Sequence, residues 1–265
     1  MELPLSASVV ENLVYLPEIG STNDELVARA ADENDFSVLV TDSQTAGRGR
    51  LGRVWVAPPG KTLAISVLLR PRLPAGEPLE LEHFGWLPLI AGVAMRAAVA
   101  SVIPANRVGL KWPNDVQVGG SKVSGLLAEL AGDAVVLGAG VNLTIDKREL
   151  PTDASTSLLL EGANEEGLAD TVLSTYLATL KKLYVDFVKV GGDAEGSGIR
   201  DIVIEACTTL GQQVRVELPG GNNLYGVATG IDASGRLQVT GNADGRLTAV
   251  AAGDVTHVRH QTRYE

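Results

Sequence analysis

A glycine- and arginine-rich segment, GRGRLGR at residues 47–53, is the part of the sequence that points most directly to chemistry. Glycines let backbone N–H groups approach an anion, and arginines donate paired, charge-assisted hydrogen bonds to phosphate or carboxylate. The segment therefore predicts an anion site formed by Arg48, Arg50 and Arg53. Taken alone, it also fits a surface turn whose arginines are merely solvated.

The segment matches known nucleotide-binding patterns in its letters but not in its context. Gly47, Gly49 and Gly52 spell G-x-G-x-x-G, yet the chain continues as VWVAPPG, which cannot begin the helix that a dinucleotide-binding loop requires. A protein kinase would need H-R-D and D-F-G motifs downstream, and neither occurs. The Gly60-Lys61-Thr62 stretch lacks the earlier glycine of a Walker loop. An anion site is what remains.

Composition limits the classes of protein to which this anion site can belong. The 265 residues, 45% of them hydrophobic, can bury one sizeable core with a small second domain. The formal charge of −10 argues against a general nucleic-acid-binding protein, because such proteins usually carry a basic surface. The single cysteine, Cys207, excludes an internal disulfide and a cysteine-rich metal site. Because no stretch reaches about 18 uninterrupted apolar residues, we expect a cytoplasmic protein without a membrane partner.

The elements that must position the arginines are typical of a mixed α/β domain followed by a β domain. Apolar runs predict strands at 36–42, 62–70, 122–130 and 134–145, and helical periodicity predicts helices at 86–103 and 168–187. After about residue 210 the pattern changes to short alternating strands separated by turn clusters. We therefore predict an α/β (α+β) domain over 1–210 and a small β-barrel over 211–265.

A second set of segments gives the anion site a context. LKWPNDV at 110–116 is followed by SKVSGLLAEL and VVLGAGVNL. Together with GSTNDEL and QTAGRGRLGR, these segments resemble the bacterial biotin protein ligases, in the family's order and at matching spacing. The resemblance covers residues 15–145 densely and the C-terminal part loosely. It implies a mixed-sheet catalytic domain of the biotin/lipoate ligase type with a small C-terminal SH3-like β-barrel.

The resemblance implies an ATP-dependent ligase. Members of that family join biotin and ATP into biotinyl-5′-adenylate with loss of pyrophosphate, then transfer biotin to a lysine of a carrier domain. The residue chemistry agrees, because activating a carboxylate at an α-phosphate gathers negative charges that fixed cations and N–H donors must hold. The expected small molecules are ATP, biotin and Mg²⁺.

Three cations are the candidate catalytic residues: Lys122, Arg50 and Arg48. The resemblance places Arg50 closest to the acyl-phosphate linkage and Lys122 at the reacting phosphate, with Gly47 and Arg48 on the same wall. The alternative for Lys122 is a solvated lysine on a strand.

Biotin binding is assigned by the resemblance to polar residues of the GSTNDEL and QTAGRGR segments and to glycines of two strands. The set is Ser21, Thr22, Asn23, Gln44, Gly47, Arg48, Gly49, Arg50, Lys122, Gly125, Gly138 and Gly140. Thr22 and Glu25 also fit a capping box for a helix beginning near Asp24, and both roles can hold at once. Leu127, Val141 and Trp55 are candidates for the apolar lining.

Nucleotide binding is assigned, again by the resemblance, to Arg50, Arg53, Trp55, Lys111, Asn114, Lys122 and Asn142. Asp115 is expected near Mg²⁺. The alternative for Asn114 and Asp115 is a turn that satisfies its own polar groups. Trp112 either stacks on a ligand or belongs to the core. His83, His257 and His260 form no convincing catalytic pair, so we expect surface histidines.

The expected partner is the biotin carboxyl carrier domain of biotin-dependent carboxylases. About 14 residues before the first expected strand leave no room for a helix-turn-helix domain, so we expect neither DNA binding nor repressor activity. We expect a monomer or a weak homodimer. Three alternatives stay open: a lipoate or octanoate ligase, a biotin-binding module without enzyme activity, and an RNA-binding patch, which lacks an aromatic platform.

Overall fold

The larger part of the chain forms a seven-stranded mixed sheet. The computed structural model describes residues 1–55, 57–218, 222–251 and 254–257. The strands are β1 (Leu13–Tyr15), β2 (Ser37–Thr41), β3 (Thr62–Leu69), β4 (Val108–Lys111), β5 (Asp115–Val118), β6 (Ser121–Ala131) and β7 (Ala134–Asn142). Their spatial order is β1-β2-β3-β7-β6-β5-β4, in which β1 pairs parallel with β2 and every other pair is antiparallel.

The helices are α1 (Pro4–Val9), α2 (Thr22–Ala28), α3 (Leu87–Ala100), α4 (Leu168–Lys189) and α5 (Ile199–Ala206). Short 3-10 segments lie at Arg50–Gly52, Leu81–Trp86 and Ala105–Arg107. The strands expected at 36–42 and 62–70, the hairpin of 122–130 with 134–145, and the long helix are confirmed. The helix expected over 86–103 begins at Leu87 and ends at Ala100.

A second, five-stranded antiparallel sheet follows α5. It contains β8 (Gln213–Glu217), β9 (Asn223–Ile231), β10 (Leu237–Gly241), β11 (Leu247–Val250) and β12 (Asp254–His257), in the order β11-β10-β9-β8-β12. The expected fold class, a mixed α/β part followed by an all-β part, is confirmed. The boundary at 210/211 and the SH3-like form of the barrel stay predictions.

The two faces of the larger sheet carry different side chains. One face supplies a single large core, in which alternate β3 residues such as Leu63, Ile65 and Val67 pack with α3 and α4. Among the described residues, the opposite face has only a small apolar cluster, which lies beneath α2 and is formed around Leu26 and Leu68. The rest of that second face is left for the glycine- and arginine-rich segment and the polar residues near α2.

Helix α3 and the 3-10 segment before it are long and apolar enough to cross a membrane. Most of this stretch, Leu81–Ala100, is however buried inside the molecule. Its apolar side chains belong to the main core, against the sheet and α4. Core packing thus accounts for the apolar character of this helix.

The start of α2 differs from the expected capping box. The cap is Ser21, whose Oγ accepts from the backbone N–H of Asp24 at 3.3 Å. The helix begins at Thr22, and the Glu25 carboxylate pairs with Arg29 one turn later instead of returning to the cap. The predicted capping residue was therefore wrong by one position. Because Ser21 is the cap, the Thr22 side chain is not used for capping and can make other contacts.

Two indole groups join the sheets. Nε1 of Trp86 donates to the carbonyl of Ala233 at 2.7 Å, and Nε1 of Trp112 donates to the carbonyl of Gly235 at 3.2 Å. Both rings are buried, so Trp112 is a core residue. The turn between β9 and β10 is therefore anchored next to the segment that carries Asn114 and Asp115.

Candidate active site

Small residues line up across the middle of the sheet and form the floor of a depression. In the register of the strands, Ala64 on β3 lies opposite Gly140 on β7, and Gly140 lies opposite Gly125 on β6. The neighbouring row is Ser66, Gly138 and Leu127. Residues paired in this way share a face of the sheet, so the missing side chains leave space above the centre of the floor.

A cavity of about 160 Å³ lies over this floor. Its wall combines polar residues around the start of α2, the arginine segment and the ends of β5 and β6. Most residues expected at the site line it, namely Ser21, Thr22, Asn23, Gln44, Arg48, Gly49, Arg50, Arg53, Trp55, Asn114, Asp115, Lys122, Gly125, Leu127, Gly138 and Gly140. The sequence-based set is thus brought together in one place, while the role of each residue stays a prediction.

The arginine segment closes on itself as a short loop. The backbone N–H of Trp55 donates to the carbonyl of Gly47 at 2.9 Å, and that of Gly49 donates to the carbonyl of Arg53 at 2.7 Å. A Cβ on Gly47 would lie 2.6 Å from the Trp55 carbonyl oxygen, so the loop can close this tightly only at a glycine. The closed loop directs Trp55 back over the sheet.

The Trp55 ring rests directly on the floor. A Cβ on Gly140 would lie 2.6 Å from this ring, and one on Gly125 would lie 3.3 Å from it. These two glycines therefore make room for the indole. Gly138 does the same for Asn23, whose side-chain amide occupies the space where a Cβ would be.

Polar contacts connect the start of α2 to the floor. The Oε1 atom of Gln44 accepts from the backbone N–H of Thr22 at 2.9 Å and from its hydroxyl at 3.2 Å. The hydroxyl of Ser66 lies 2.8 Å from Oγ1 of Thr22 and 2.6 Å from Oδ1 of Asn23. These buried groups form a connected donor and acceptor chain at one end of the cavity.

Carboxylates hold Arg48 at the cavity wall. Its Nη2 atom lies 2.6 Å from Oδ1 of Asp24 and 2.6 Å from Oε2 of Glu129. The same Oε2 atom accepts from Nδ2 of Asn23 at 2.8 Å. The guanidinium is thus oriented by contacts from both α2 and β6.

Asn114 orients Arg50. Its Oδ1 accepts from Nη1 of Arg50 at 2.8 Å, while its Nδ2 donates to the carbonyl of Leu126 at 2.9 Å. The backbone of Leu126 also donates to the Asn114 carbonyl at 2.9 Å. The amide is therefore joined to the arginine and to β6, and the alternative of a self-satisfied turn does not describe it.

Lys122 reaches the cavity from the start of β6. Its backbone is held by Ala154 and Thr156, which accept from and donate to it at 2.7 and 2.8 Å. Its Nζ atom lies 2.6 Å from Oδ1 of Asp115, an ion pair without hydrogen-bond geometry. The lysine is therefore no freely solvated strand residue.

Four candidates lie outside the cavity lining. Gly47 closes the loop, Val141 is fully buried, and Lys111 ends β4 in register with Asp115. Asn142 is buried, and its Nδ2 donates to the carbonyl of Thr156 at 2.9 Å. For these residues the structure gives a local contact or a place in the core.

The histidines are spread over the molecule. His83 is 3.8 Å from Glu82, and Nε2 of half-buried His257 is 3.2 Å from Oγ1 of Thr209. His260 lies outside the described residues. Within the described ranges, no group of three or more His, Cys, Asp or Glu side chains is arranged to hold a metal ion.

Sequence reasoning missed Ser66 and Glu129. Ser66 is a fully buried serine inside an apolar strand. Glu129 follows Gly125 and Leu127 at intervals of two, so it falls on their face of β6. Glu129 is a polar residue that continues the two-residue spacing of Gly125 and Leu127, and this pattern could have identified it in the sequence.

Two family models match the chain. Residues 16–146 match the "Biotin/lipoate A/B protein ligase family", and residues 209–258 match the "Biotin protein ligase C terminal domain". The chain is 39% identical over 252 residues to the biotin–[acetyl-CoA-carboxylase] ligase of Mycobacterium tuberculosis, covering 93% of this chain and 89% of that protein. The chain belongs to the biotin protein ligases. It is accordingly an enzyme.

Solved structures share the architecture of this ligase. The biotin protein ligase of Aquifex aeolicus in complex with biotin and ATP is 27% identical with a TM-score of 0.70, covering 94% of this ligase and 100% of that chain. The Leishmania major enzyme in complex with biotinyl-5-AMP is 27% identical with a TM-score of 0.58, covering 92% and 100%. The resemblance inferred from sequence is confirmed.

Proposed function

We propose that this ligase activates biotin with ATP to biotinyl-5′-AMP and transfers the biotinyl group to a lysine of a biotin carboxyl carrier domain. The observation that carries the proposal is one cavity lined both by the cations Arg48, Arg50 and Lys122 and by a connected set of polar groups. Such a cavity suits a small molecule with a carboxylate at one end and a polar ring at the other.

The polar end of the cavity suits the ureido ring of biotin. Thr22, Asn23 and Gln44 offer hydroxyl and amide groups in a buried setting, where an unmatched polar group is costly. A lipoyl or octanoyl chain has no such ring to pair with them. The proposal therefore assigns these residues to the discrimination of biotin from lipoate and octanoate.

The cations act on the first half-reaction. A carboxylate oxygen of biotin attacks the α-phosphorus of ATP, a new P–O bond forms, and the bond to pyrophosphate breaks. Negative charge grows on the phosphoryl oxygens, and Arg50 and Lys122 stabilise it because their positions are fixed before the reaction by Asn114 and Asp115. Arg48 holds the carboxylate of biotin for attack.

The second half-reaction uses the same site. The neutral amine of the acceptor lysine attacks the acyl carbon of the adenylate, a C–N bond forms, the nitrogen releases a proton to solvent, and the bond to the AMP oxygen breaks. AMP leaves as an anion, so the same cations stabilise the leaving group. The carrier lysine therefore has to enter the cavity beside the arginine segment.

A magnesium ion fits this site only as a partner of ATP. Oδ1 of Asp115 is buried and lies 2.6 Å from Nζ of Lys122, so a magnesium ion would share this carboxylate with the lysine. A hydrated Mg²⁺ typically takes one or two carboxylates together with phosphate oxygens. Such an ion would neutralise phosphate charge. Asp115 is the residue proposed to contact it.

We further propose a monomer or weak homodimer with a carrier domain as its macromolecular partner and no DNA partner. Sedimentation of the ligase with and without biotin and ATP tests the oligomeric state. The mobility of a labelled DNA fragment in the presence of the ligase tests whether the ligase binds DNA.

The test of the main proposal is exchange of labelled pyrophosphate into ATP with biotin, lipoate or octanoate. Exchange with biotin alone, followed by biotin transfer to a carrier domain, is the expected result. Exchange with lipoate or octanoate in place of biotin would assign a different substrate. Binding of biotin without exchange would support a binding module and overturn the ligase activity of this chain.

A further inference from the structure

Glu129 connects two residues of the cavity that come from different segments. Its carboxylate accepts from Nδ2 of Asn23 on α2 at 2.8 Å and from Nη2 of Arg48 in the arginine segment at 2.6 Å. The Glu129 side chain is 25% exposed, so these bonds are only partly screened by water. Charge-assisted bonds of this kind are the stronger class of hydrogen bond.

The carboxylate settles which way the Asn23 amide faces. A carboxylate can only accept, so Nδ2 has to face Glu129 and Oδ1 has to face the opposite way. Oδ1 lies 2.6 Å from the hydroxyl of Ser66. The Leu127 carbonyl accepts from the same Nδ2 atom, but at 3.4 Å and without charge, so Glu129 is the stronger of the two acceptors that set this orientation.

The orientation of the Asn23 amide determines the hydrogen-bond directions of the neighbouring hydroxyl groups at the end of the cavity. Ser66 has one hydrogen, and when it donates to Asn23, the Thr22 hydroxyl 2.8 Å away can turn its own hydrogen to Ser66 only by giving up its contact with Gln44. Gln44 is then joined to Thr22 by the backbone N–H of Thr22, which donates to Oε1 at 2.9 Å. Polar networks of this kind are stabilised when every member is satisfied.

We infer that Glu129 is a positioning residue for biotin. It fixes the direction of the hydrogen bonds from Asn23 through Ser66 to the Thr22 hydroxyl and holds the Arg48 guanidinium at the cavity wall. This inference rests on the proposed function, since biotin is the molecule that both ends of the chain would meet.

Asp24 provides an internal comparison. Its carboxylate also contacts Nη2 of Arg48, at 2.6 Å, but the side chain is 53% exposed and makes no hydrogen bond to the Asn23 amide among the described residues. Removing its charge therefore affects Arg48 alone. Removing the charge of Glu129 affects Arg48 and the hydrogen-bond chain together.

The test compares Glu129→Gln, Glu129→Asp and Asp24→Asn in pyrophosphate exchange. We expect Glu129→Gln to raise KM for biotin about tenfold, the effect of losing one charge-assisted bond, with KM for ATP within twofold of wild type. Glu129→Asp keeps the charge and should recover most of the loss, and Asp24→Asn should stay within threefold. An equal effect of Asp24→Asn would overturn the role of the hydrogen-bond chain.

A double-mutant comparison tests whether Glu129 acts through Asn23. In an Asn23→Ala background, Glu129→Gln should change KM for biotin by less than half as much on a logarithmic scale. Fully additive effects would overturn the inference. Asp133→Asn, which removes the partner of Arg70 and Arg72 away from the cavity, is the control for a lost surface carboxylate.

Direct titration of biotin separates this inference from the proposed function. If wild type binds biotin but performs no exchange, the ligase proposal fails, and weaker binding by Glu129→Gln still supports the positioning role. Unchanged binding by a folded Glu129→Gln variant would overturn it. A wild type that binds no biotin would overturn both.

Discussion

Nζ of Lys122 lies 2.6 Å from Oδ1 of Asp115 and 5.9 Å from the centre of the Trp55 ring. The ammonium group is thus held between a carboxylate and an aromatic face at the cavity. A cation fixed before reaction stabilises growing negative charge without first having to reorient, which is the condition for a large effect on the rate.

Lys122→Ala should slow adenylation by about 10²–10³, the usual effect of removing one preorganised donor. Biotin binding should be largely retained, because the polar end of the cavity is untouched. Single-turnover formation of biotinyl-5′-AMP measures the rate. The exposed Lys182, paired with Asp186 on α4, provides the control variant Lys182→Ala. A Lys122→Ala rate within threefold of wild type would sink the role.

Gly140→Ala should displace Trp55, because the new Cβ would lie 2.6 Å from its ring. We expect destabilisation of about 1–3 kcal/mol, typical of overpacking, and a drop of tenfold or more in kcat/KM for biotin. Tryptophan fluorescence measures the destabilisation, and pyrophosphate exchange measures kcat/KM for biotin. A Cβ on Gly20 would meet no neighbouring atom within 4 Å, so Gly20→Ala is the matched control. Equal behaviour of the two variants would contradict the role of Gly140.

Asp170→Ala should lower the free energy of unfolding by about 2–3 kcal/mol, with KM for biotin unchanged. The buried Asp170 carboxylate accepts from the backbone N–H groups of Leu5 and Ser6, at 2.8 and 2.9 Å, and from the Ser6 hydroxyl at 2.6 Å. Its loss leaves the start of α1 without these partners. Urea unfolding measures the change.

The control for Asp170 is Asp186→Ala on the same helix, where the side chain is exposed. A surface change of that kind should stay within about 0.5 kcal/mol. If Asp170→Ala behaves like Asp186→Ala, the carboxylate does not hold α1.

Tyr176→Phe should make the ligase more resistant to alkali. The Tyr176 hydroxyl is buried and has no hydrogen-bond partner among the described residues, and burial raises the pKa of this phenol. The unfolded chain ionises this group at about pH 10 while the folded chain does not. Stability from the protonated phenol is therefore complete below about pH 10 and is lost as the pH rises further.

The measurement is urea unfolding of both proteins at several pH values. Above about pH 10, the difference between Tyr176→Phe and wild type should grow by about 1.4 kcal/mol per pH unit. At neutral pH the variant should be at least as stable, since an unpaired buried hydroxyl is removed. A difference that is constant with pH would refute the explanation.

Cys207 should be almost unreactive in the folded ligase. It is buried, and burial raises the pKa of its thiol, so the reactive thiolate is scarce. We expect alkylation by iodoacetamide at about pH 8 to be at least roughly a hundredfold slower than in urea. Mass spectrometry measures the extent of alkylation over time. Rapid modification of the folded protein would show instead that the thiol is exposed.

The sequence predicted β2, β3, β6 and β7 and the membership of the cavity better than it predicted contacts. Periodicity identifies β3 and the β6–β7 hairpin because their apolar faces must be buried. It could not predict that Gly140 accommodates Trp55, since that contact joins a loop to a strand far along the chain, and no periodic pattern links the two.

Polar partners were the least predictable part of the site. Glu129 and Asp24 are ordinary charged residues in the sequence, and only the fold brings both to Arg48. The capping residue of α2 was missed for a local reason, because Ser21 and Thr22 are both good caps and differ only in where the helix turns. Spacing alone does not choose between them.

The hydrogen bonds of Trp86 and Trp112 to the β9–β10 turn have a consequence for how the chain comes apart. An indole has only one donor, and both indoles use it on the same short stretch of the C-terminal sheet. Separating the sheets would break both bonds and expose two buried indole rings to water. The fold changes between α5 and β8, but the two sheets are held together at this point. Heating should therefore melt both sheets in one transition.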